Sequence, residues 1–116
     1  MTNQKGKFQT RLEAVLVIDG LTQVIKNYGQ FSPDVYADAG FKKRVKALYY
    51  TLDSMKRAFD GCDYECSLLI ITAKAQLCDI GSYIAGSDLQ HSLPESFIAL
   101  TRILYDVIDN NLELFP

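Results

Sequence analysis

The sequence predicts an all-α protein, an antiparallel four-helix bundle with helices at about 10–28, 39–60, 64–85 and 93–113. Two neighbouring segments carry apolar residues in alternating steps of four and three, which keeps one stripe of a helix facing a partner helix. The first stripe is Phe41, Val45, Leu48, Leu52, Met55 and Phe59, and the second is Cys66, Ile70, Ala73, Leu77, Ile80 and Ile84. Between them Gly61 can end one helix and Asp63 can cap the next, so the short turn predicts antiparallel packing.

The first predicted helix, 10–28, begins after Thr10, which can cap it. Gly20 within this helix costs about 1 kcal/mol relative to alanine. Residues 1–9 are polar and lysine-bearing, and they are predicted to be disordered. The apolar face of the helix consists of Ala14, Val17, Ile18, Leu21, either Val24 or Ile25, and Tyr28.

A linker at 29–37 leads to the second helix, and Gly29 and Pro33 act as helix breakers within it. Asp38 is the predicted cap of the second helix. Three linker residues are too apolar for a free tether and are expected to fold back onto the bundle: Phe31, Val35 and Tyr36.

The third helix ends at Gly86, and its apolar run 68–71 covers more than one face. A helix that is apolar most of the way round is either central or in contact with a second molecule, so this run predicts a protein partner or a homodimer. Ser92 and Glu95 form a predicted capping box for the fourth helix. The inner face of that helix is predicted to be Phe97, Leu100, Leu104, Val107 and Leu112.

Composition predicts a single domain, 1–116, with a net charge of −2. Residues 1–57 hold ten basic and five acidic side chains (+5), whereas residues 58–116 hold two and nine (−7). The three cysteines are interpreted as reduced thiols at core or boundary positions, with Cys66 and Cys78 on apolar positions of the third helix. Without a signal-like segment or an uninterrupted apolar span of about 18 residues, the prediction is a cytoplasmic protein with no membrane association.

Catalytic and metal-binding patterns are missing from the sequence. The single histidine, His91, lies in a predicted loop without a nucleophile or carboxylate at a suggestive spacing. No Glu-x-x-His pair, calcium-binding loop or glycine-rich phosphate loop occurs. We therefore predict a protein without enzymatic activity, cofactor or metal.

Candidate contact residues occur at basic, aromatic and apolar positions of the predicted helices. Lys42, Lys43, Arg44 and Lys46 could contact nucleic-acid phosphates, but an acidic pI near 5.2 favours a solvated helix face. Tyrosine is common at partly hydrated protein interfaces. The predicted partner-binding residues are Tyr50, Leu69, Ile71, Tyr105, Lys43 and Lys46.

Residues 47–113 resemble the helical core of the FliS family of flagellin export chaperones. The matching features are Leu48-Tyr49, Gly61, Ala75-Gln76, Leu104-Tyr105, and Asn110 or Asn111. This chain carries an additional helix in front of that core. The last helix, from Leu93-Pro94-Glu95 to Glu113, is similar to that of FlaF-type flagellin regulators. Both resemblances imply a cytosolic protein that holds a helical client.

Three functions follow from these features. The first is a non-enzymatic adaptor or export chaperone, of flagellar or secretion type, that binds a helical client in a groove between helices. The alternative is a small inhibitor or immunity-type protein, possible as a phage product, that blocks a target enzyme. Its acidic rear half, residues 58–116, would face a basic surface of that enzyme. The third is a helical nucleic-acid-binding protein that uses the basic run.

Overall fold

The computed structural model describes the backbone of residues 7–61 and 66–110 and the side chains of residues 12–58 and 68–109. Throughout these ranges the regular structure is helical and contains no strand, which confirms the all-α prediction. Two short 3-10 turns, Tyr28–Gln30 and Asp88–His91, lie between longer elements. The α-helices are α1 (Lys7–Lys26), α2 (Pro33–Ala37), α3 (Ala39–Gly61), α4 (Cys66–Ala85) and α5 (Glu95–Asn110).

The start of α1 differs from the prediction. The helix begins at Lys7, so residues 7–9 are helical rather than disordered. Thr10 consequently lies inside the helix and not at its cap. The segment in front of Thr10 consists of lysine, phenylalanine and glutamine, none of which interrupts a helix.

The start of α5 also corrects a prediction. The helix begins at Glu95, which leaves Pro94 at the capping position and Ser92 too far upstream to form the predicted capping box. The residue before a proline is driven out of the helical region by the proline ring, so Leu93 cannot be the first helical residue. Leu93 is instead buried against the core, and the Pro94 carbonyl accepts from the backbone N–H groups of Phe97 and Ile98.

The linker between α1 and α3 is more structured than the sequence indicated, because residues 33–37 form α2. Phe31 and Val35 are buried, as expected, whereas Tyr36 remains 46% exposed and only rests its ring 5.3 Å from that of Tyr28. Asp38 caps α3 as predicted, since its Oδ1 accepts from the Phe41 N–H at 2.8 Å.

The core confirms most of the predicted stripes. Of the stripes predicted for α3 and α4, Ile84 is half-buried and nine residues are buried: Phe41, Val45, Leu48, Leu52, Met55, Ile70, Ala73, Leu77 and Ile80. The side chains of Phe59, Cys66 and Leu112 and the cap at Asp63 lie outside the described residues. On α1 the innermost residue of the last turn is Ile25, and Val24 is half-buried. On α5 Ile108 is fully buried although it was missing from the predicted face, where Val107 was placed instead.

Helix contacts place α3 between two neighbours. The most extensive packing joins α3 to α4, followed by α1 to α5 and then α1 to α3. Contacts between α4 and α5 are sparser. The side of α3 that faces α1 is therefore less completely covered than the side that faces α4, and this difference leaves room for a groove between α1 and α3.

Candidate functional site

An apolar groove runs between α1 and α3 and encloses about 280 Å³. Its inner surface is almost entirely apolar although basic side chains stand around it. We call this cavity the α1–α3 groove. Its lining residues are Ile25, Lys26, Tyr28, Lys42, Val45, Lys46, Tyr49 and Tyr50.

The groove follows from helical spacing on α3. Residues three and four positions apart share a helix face, so Lys42, Val45 and Tyr49 lie along one side of α3. Val45 is buried and Tyr49 is half-buried against the core, whereas the next residue, Tyr50, is 59% exposed. The two tyrosine rings meet edge to face with centroids 6.0 Å apart. They form an aromatic border at one end of the groove.

Tyr28 forms the opposite end of the groove, where the linker folds back. Its hydroxyl donates to the Val35 carbonyl at 2.9 Å, and its ring stacks at 6.1 Å on that of Phe41. Burial, followed by the nearby Asp38 carboxylate, raises the pKa of Tyr28, so the hydroxyl stays neutral and remains a donor. The linker thus fixes an aromatic wall at this end.

Three lysines surround the groove: Lys26 on α1, and Lys42 and Lys46 one turn apart on α3. All three are exposed, and within the described part of the chain none of them forms an ion pair. The Lys42 ammonium lies 4.9 Å from the centroid of the Tyr36 ring, a cation–π contact rather than an ion pair. The groove therefore combines an apolar floor with unneutralised positive charge.

The opposite side of α3 is closed by a polar network that we call the Tyr83 network. The Tyr83 hydroxyl donates to Asp38 Oδ1 at 2.5 Å, and the Arg44 guanidinium lies 4.3 Å from the Tyr83 ring centroid. Arg44 Nε also lies 3.1 Å from Asp79 Oδ2, an ion-pair contact without hydrogen-bond alignment, and Arg44 Nη1 donates to the Gly40 carbonyl. This network joins the start of α3 to the end of α4.

The outer face of α4 is a second exposed apolar surface. Leu68 and Ile71 are 67% and 56% exposed, and Ala75 and Cys78 continue the stripe at steps of four and three. Cys78 is thus an exposed free thiol, which corrects the core or boundary position predicted for it. By length and composition the segment Leu68–Ala85 could cross a membrane. Only 22% of it is buried within the protein, because α4 turns a single face to the core.

A larger and more enclosed cleft of about 340 Å³ lies between α4 and α5 and includes Tyr105. A hydrogen bond with Cys78 is the main cause that raises the pKa of Tyr105. Lys74 is bound to Asp109 at 2.6 Å, and that contact raises the pKa of Lys74. Unlike the groove lysines, this cation already has an acidic partner.

The predicted contact residues do not form one site. Tyr50 and Lys46 line the α1–α3 groove, whereas Lys43 is exposed on α3 but does not line it. Ile71 lies on the outer face of α4, and Tyr105 lines the α4–α5 cleft. Leu69, another predicted contact residue, is half-buried against the core and does not share the exposure of Ile71.

Five groove residues were missed as contact residues: Ile25, Lys26, Tyr28, Val45 and Tyr49. Their apolar members were recognisable only as core or boundary positions, because helical periodicity does not state which helix packs beside which. Lys26 closes the last turn of α1, where a basic residue is favourable for the helix dipole alone, so its sequence position carried no signal of a site.

Among the described side chains no group of three histidine, cysteine, aspartate or glutamate residues could hold a metal ion. His91 is exposed in the 3-10 turn before α5. No known family model, curated protein or solved structure matches this chain. The geometry of the α1–α3 groove is therefore the main basis for assigning a function.

Proposed function

We propose that this protein is a non-enzymatic, cytoplasmic adaptor or chaperone that binds one amphipathic helix of a client protein in the α1–α3 groove. The observation that carries the proposal is an apolar groove between two helices, bordered by tyrosines at both ends. Amphipathic helices dock into such grooves through apolar residues spaced three and four apart. Tyrosine is among the residues that contribute most to protein interfaces.

The proposal includes an antiparallel four-helix bundle as its scaffold. Three pairings support opposite directions for neighbouring helices. Gly40, at the start of α3, lies beside Tyr83 near the end of α4, and Lys74 in α4 binds Asp109 at the end of α5. Lys26 in the last turn of α1 and Lys42 near the start of α3 line the same groove. Such a scaffold presents the groove on a stable frame.

Export chaperones of the kind suggested by the FliS-like and FlaF-like sequence features fit this groove. A chaperone that keeps a secreted helical protein from polymerising needs an apolar binding surface and no catalytic group. We therefore propose a flagellin-like or other secreted helical protein as the client class.

The test uses a synthetic amphipathic helical peptide of about five turns with leucines at helical spacing. Amide chemical shifts of the labelled protein are followed by NMR during titration with the peptide. Binding in the groove should perturb the amides of Ile25, Val45 and Tyr49. Tyr50→Ser should weaken the affinity about tenfold, because a border tyrosine at an interface contributes 1–2 kcal/mol or more.

Ile71→Ser provides the matched control, because Ile71 is as exposed as Tyr50 but lies on α4. It should leave the peptide affinity unchanged. If Ile71→Ser weakens binding and Tyr50→Ser does not, the client helix occupies the outer face of α4 and the proposed site is wrong. No binding by this peptide or by flagellin-derived helices would contradict the proposed function.

The inhibitor alternative draws on the acidic residues of the rear half. Two of them, Asp79 and Asp109, already neutralise Arg44 and Lys74, which leaves less free charge for a basic target. Asp88, Glu95 and Asp106 are exposed, so charge reversal at these three positions is the test of that alternative. Loss of binding to a basic target enzyme would favour it.

A homodimer is also proposed, through the exposed stripe on α4. The stripe follows the same three-and-four spacing as the buried stripes, as expected of a surface that packs on another helix. Ile71→Glu should then convert a dimer to a monomer in sedimentation equilibrium, whereas a monomeric parent protein would refute the dimer.

A further inference from the structure

We propose, on the basis of the client-binding function above, that the α1–α3 groove selects a helix with acidic side chains on both sides of its apolar stripe. The occupant is an amphipathic client helix in which aspartate or glutamate flanks the residues that enter the groove. The proposal rests on the charge state of the groove border.

Cations elsewhere on the described surface are mostly paired. Arg44, Lys56, Arg57 and Lys74 each contact a carboxylate of this chain. Among the described basic side chains, those without an ion pair are Lys26, Lys42, Lys43, Lys46 and Arg102. Three of these five line the α1–α3 groove. Unpaired positive charge is thus concentrated at the border of one apolar cavity.

The lysines stand on both sides of the cavity, with Lys26 on α1 and with Lys42 and Lys46 on α3. A helix lying along the groove would present residues from its two flanks to these two sides. Acidic flanks would meet the ammonium groups, while the aliphatic stems of the lysines extend the apolar contact. Charge of this kind selects the partner and speeds association more than it adds affinity.

The size of the cavity agrees with such an occupant. Small-molecule sites commonly enclose about 300–1,000 Å³, and this open groove of about 280 Å³ falls just below that range. It suits a few apolar side chains projecting from a docked helix. Val45 and Ile25 give it an aliphatic floor, and Tyr49 and Tyr50 give it an aromatic border.

Nucleic acid is the competing occupant, since lysines and tyrosines also bind phosphates and stack on bases. Two features favour the helix. Arg44, the guanidinium of the basic run, is held by Asp79 and Tyr83 on the other side of α3. The floor of the groove is aliphatic, whereas a single-strand site uses a charged channel along the backbone.

The experiment compares three fluorescent peptides of about five turns that share one leucine stripe and carry glutamate, glutamine or lysine at the flanking positions. Fluorescence anisotropy gives each affinity at about 30 mM and about 300 mM salt. At low salt we expect the glutamate peptide to bind about tenfold more tightly than the lysine peptide, with glutamine between them. At high salt the difference should largely disappear, because exposed charges are screened.

Charge reversal at the groove then tests the site. The double variant Lys42→Glu/Lys46→Glu should reverse the order of the peptides. Lys43→Glu together with Arg102→Glu changes the net charge equally at unpaired cations that do not line the groove, and it should preserve the order. Circular dichroism of both variants should match that of the parent, because all four substituted side chains are exposed.

The outcomes separate the two proposals. Equal binding of all three peptides at both salt concentrations would overturn the acidic-helix inference and leave helix binding in place. Failure of all three peptides to bind would overturn both. Tighter binding of a single-stranded oligonucleotide of about 20 bases, abolished by the Lys42/Lys46 double variant, would assign the groove to nucleic acid instead.

Discussion

The two sides of α3 both carry basic and tyrosine side chains, but only the side toward α4 pairs them with carboxylates. Toward α4, Arg44 and Tyr83 contact each other and each contacts a carboxylate, so their charged and polar groups have partners within the protein. Toward α1, Lys42 and Lys46 stand beside tyrosines but have no carboxylate partner in the described residues. A polar group without an internal partner is available to an external one. We therefore propose the open side toward α1 as the binding side, whereas the side toward α4 is closed by contacts within the protein.

The closed side depends on the absence of a side chain at Gly40. A Cβ at this position would lie 2.3 Å from the Tyr83 hydroxyl oxygen and 2.8 Å from the ring carbon that carries it. Tyr83 cannot easily move away, because Asp38 holds its hydroxyl and Arg44 covers its ring. The end of the Tyr83 side chain can therefore occupy this position only because residue 40 is glycine.

The largest predicted effect is that of Gly40→Ala on the closed side. The new methyl group must displace Tyr83 and break its hydrogen bond with Asp38, and this overpacking typically costs 1–3 kcal/mol. Better helix propensity of alanine returns at most about 1 kcal/mol. We expect a net loss of about 1–2 kcal/mol in the free energy of unfolding, measured by urea denaturation.

Gly81→Ala is the control for this substitution. Gly81 is also within a helix, but nothing lies within 4 Å of a Cβ built on it. The same chemical change should therefore stabilise the protein by up to about 1 kcal/mol. Equal effects of the two substitutions would show that the contact between Gly40 and Tyr83 does not limit the packing of α3 on α4.

A smaller effect is predicted for Arg44→Met, which keeps much of the apolar stem but removes the charge. The variant loses the contact with Asp79 and the position over the Tyr83 ring. Both contacts are partly exposed, so their combined loss should lower the free energy of unfolding by about 1 kcal/mol. Arg102→Met, at a cation without an ion pair in the described region, should change stability by less than about 0.5 kcal/mol.

Peptide binding, unlike stability, should not change in the Arg44 variant, and this difference separates the two sides of α3. Arg44→Met should leave the affinity for the amphipathic peptide unchanged, since Arg44 does not line the groove. An Arg44 variant that lost peptide binding while remaining folded would contradict the division of α3 into a structural and a binding side.

The sequence predicted the closed side better than the open one. The apolar stripes of α3 and α4 are adjacent in the chain and share the same spacing of four and three residues, so their mutual burial could be predicted from the sequence. The groove depends on α1 lying beside α3, and on the linker holding Tyr28 against Phe41 through the hydrogen bond to Val35. The periodicity of one segment does not specify which helix lies beside it, so Tyr50 and Lys46 were predicted only as separate exposed residues.

Local chemistry explains the remaining differences at helix ends. Asp38 was recognisable as a cap because aspartate accepts from a free backbone N–H at a helix start. Ser92 and Glu95 carried the spacing of a capping box, but the steric effect of Pro94 on Leu93 prevailed and moved the start of α5 to Glu95. Spacing patterns thus compete with backbone sterics, and sterics prevail next to a proline.

The smallest predicted effect is a pH dependence of the Tyr83 network. The hydrogen bond from Tyr83, followed by the N–H of Phe41, lowers the pKa of Asp38 below its ordinary value of 3.8, and the same bond raises the pKa of Tyr83 above 10.0. A lowered carboxyl pKa adds stability that is present above the unfolded pKa and is lost as the pH falls through the folded one. A raised tyrosine pKa adds stability that is present below its unfolded pKa and is lost at more alkaline pH.

Tyr83→Phe removes the main cause of the shift at Asp38, so it isolates this contribution. Parent and variant are compared by urea unfolding at several pH values between about 3 and 7. The parent should be the more stable near neutral pH, and its advantage should shrink as the pH falls below about 4, because protonated Asp38 no longer favours the hydrogen bond. An advantage that stays constant down to about pH 3 would show that Tyr83 stabilises α3 and α4 by packing rather than through the Asp38 carboxylate.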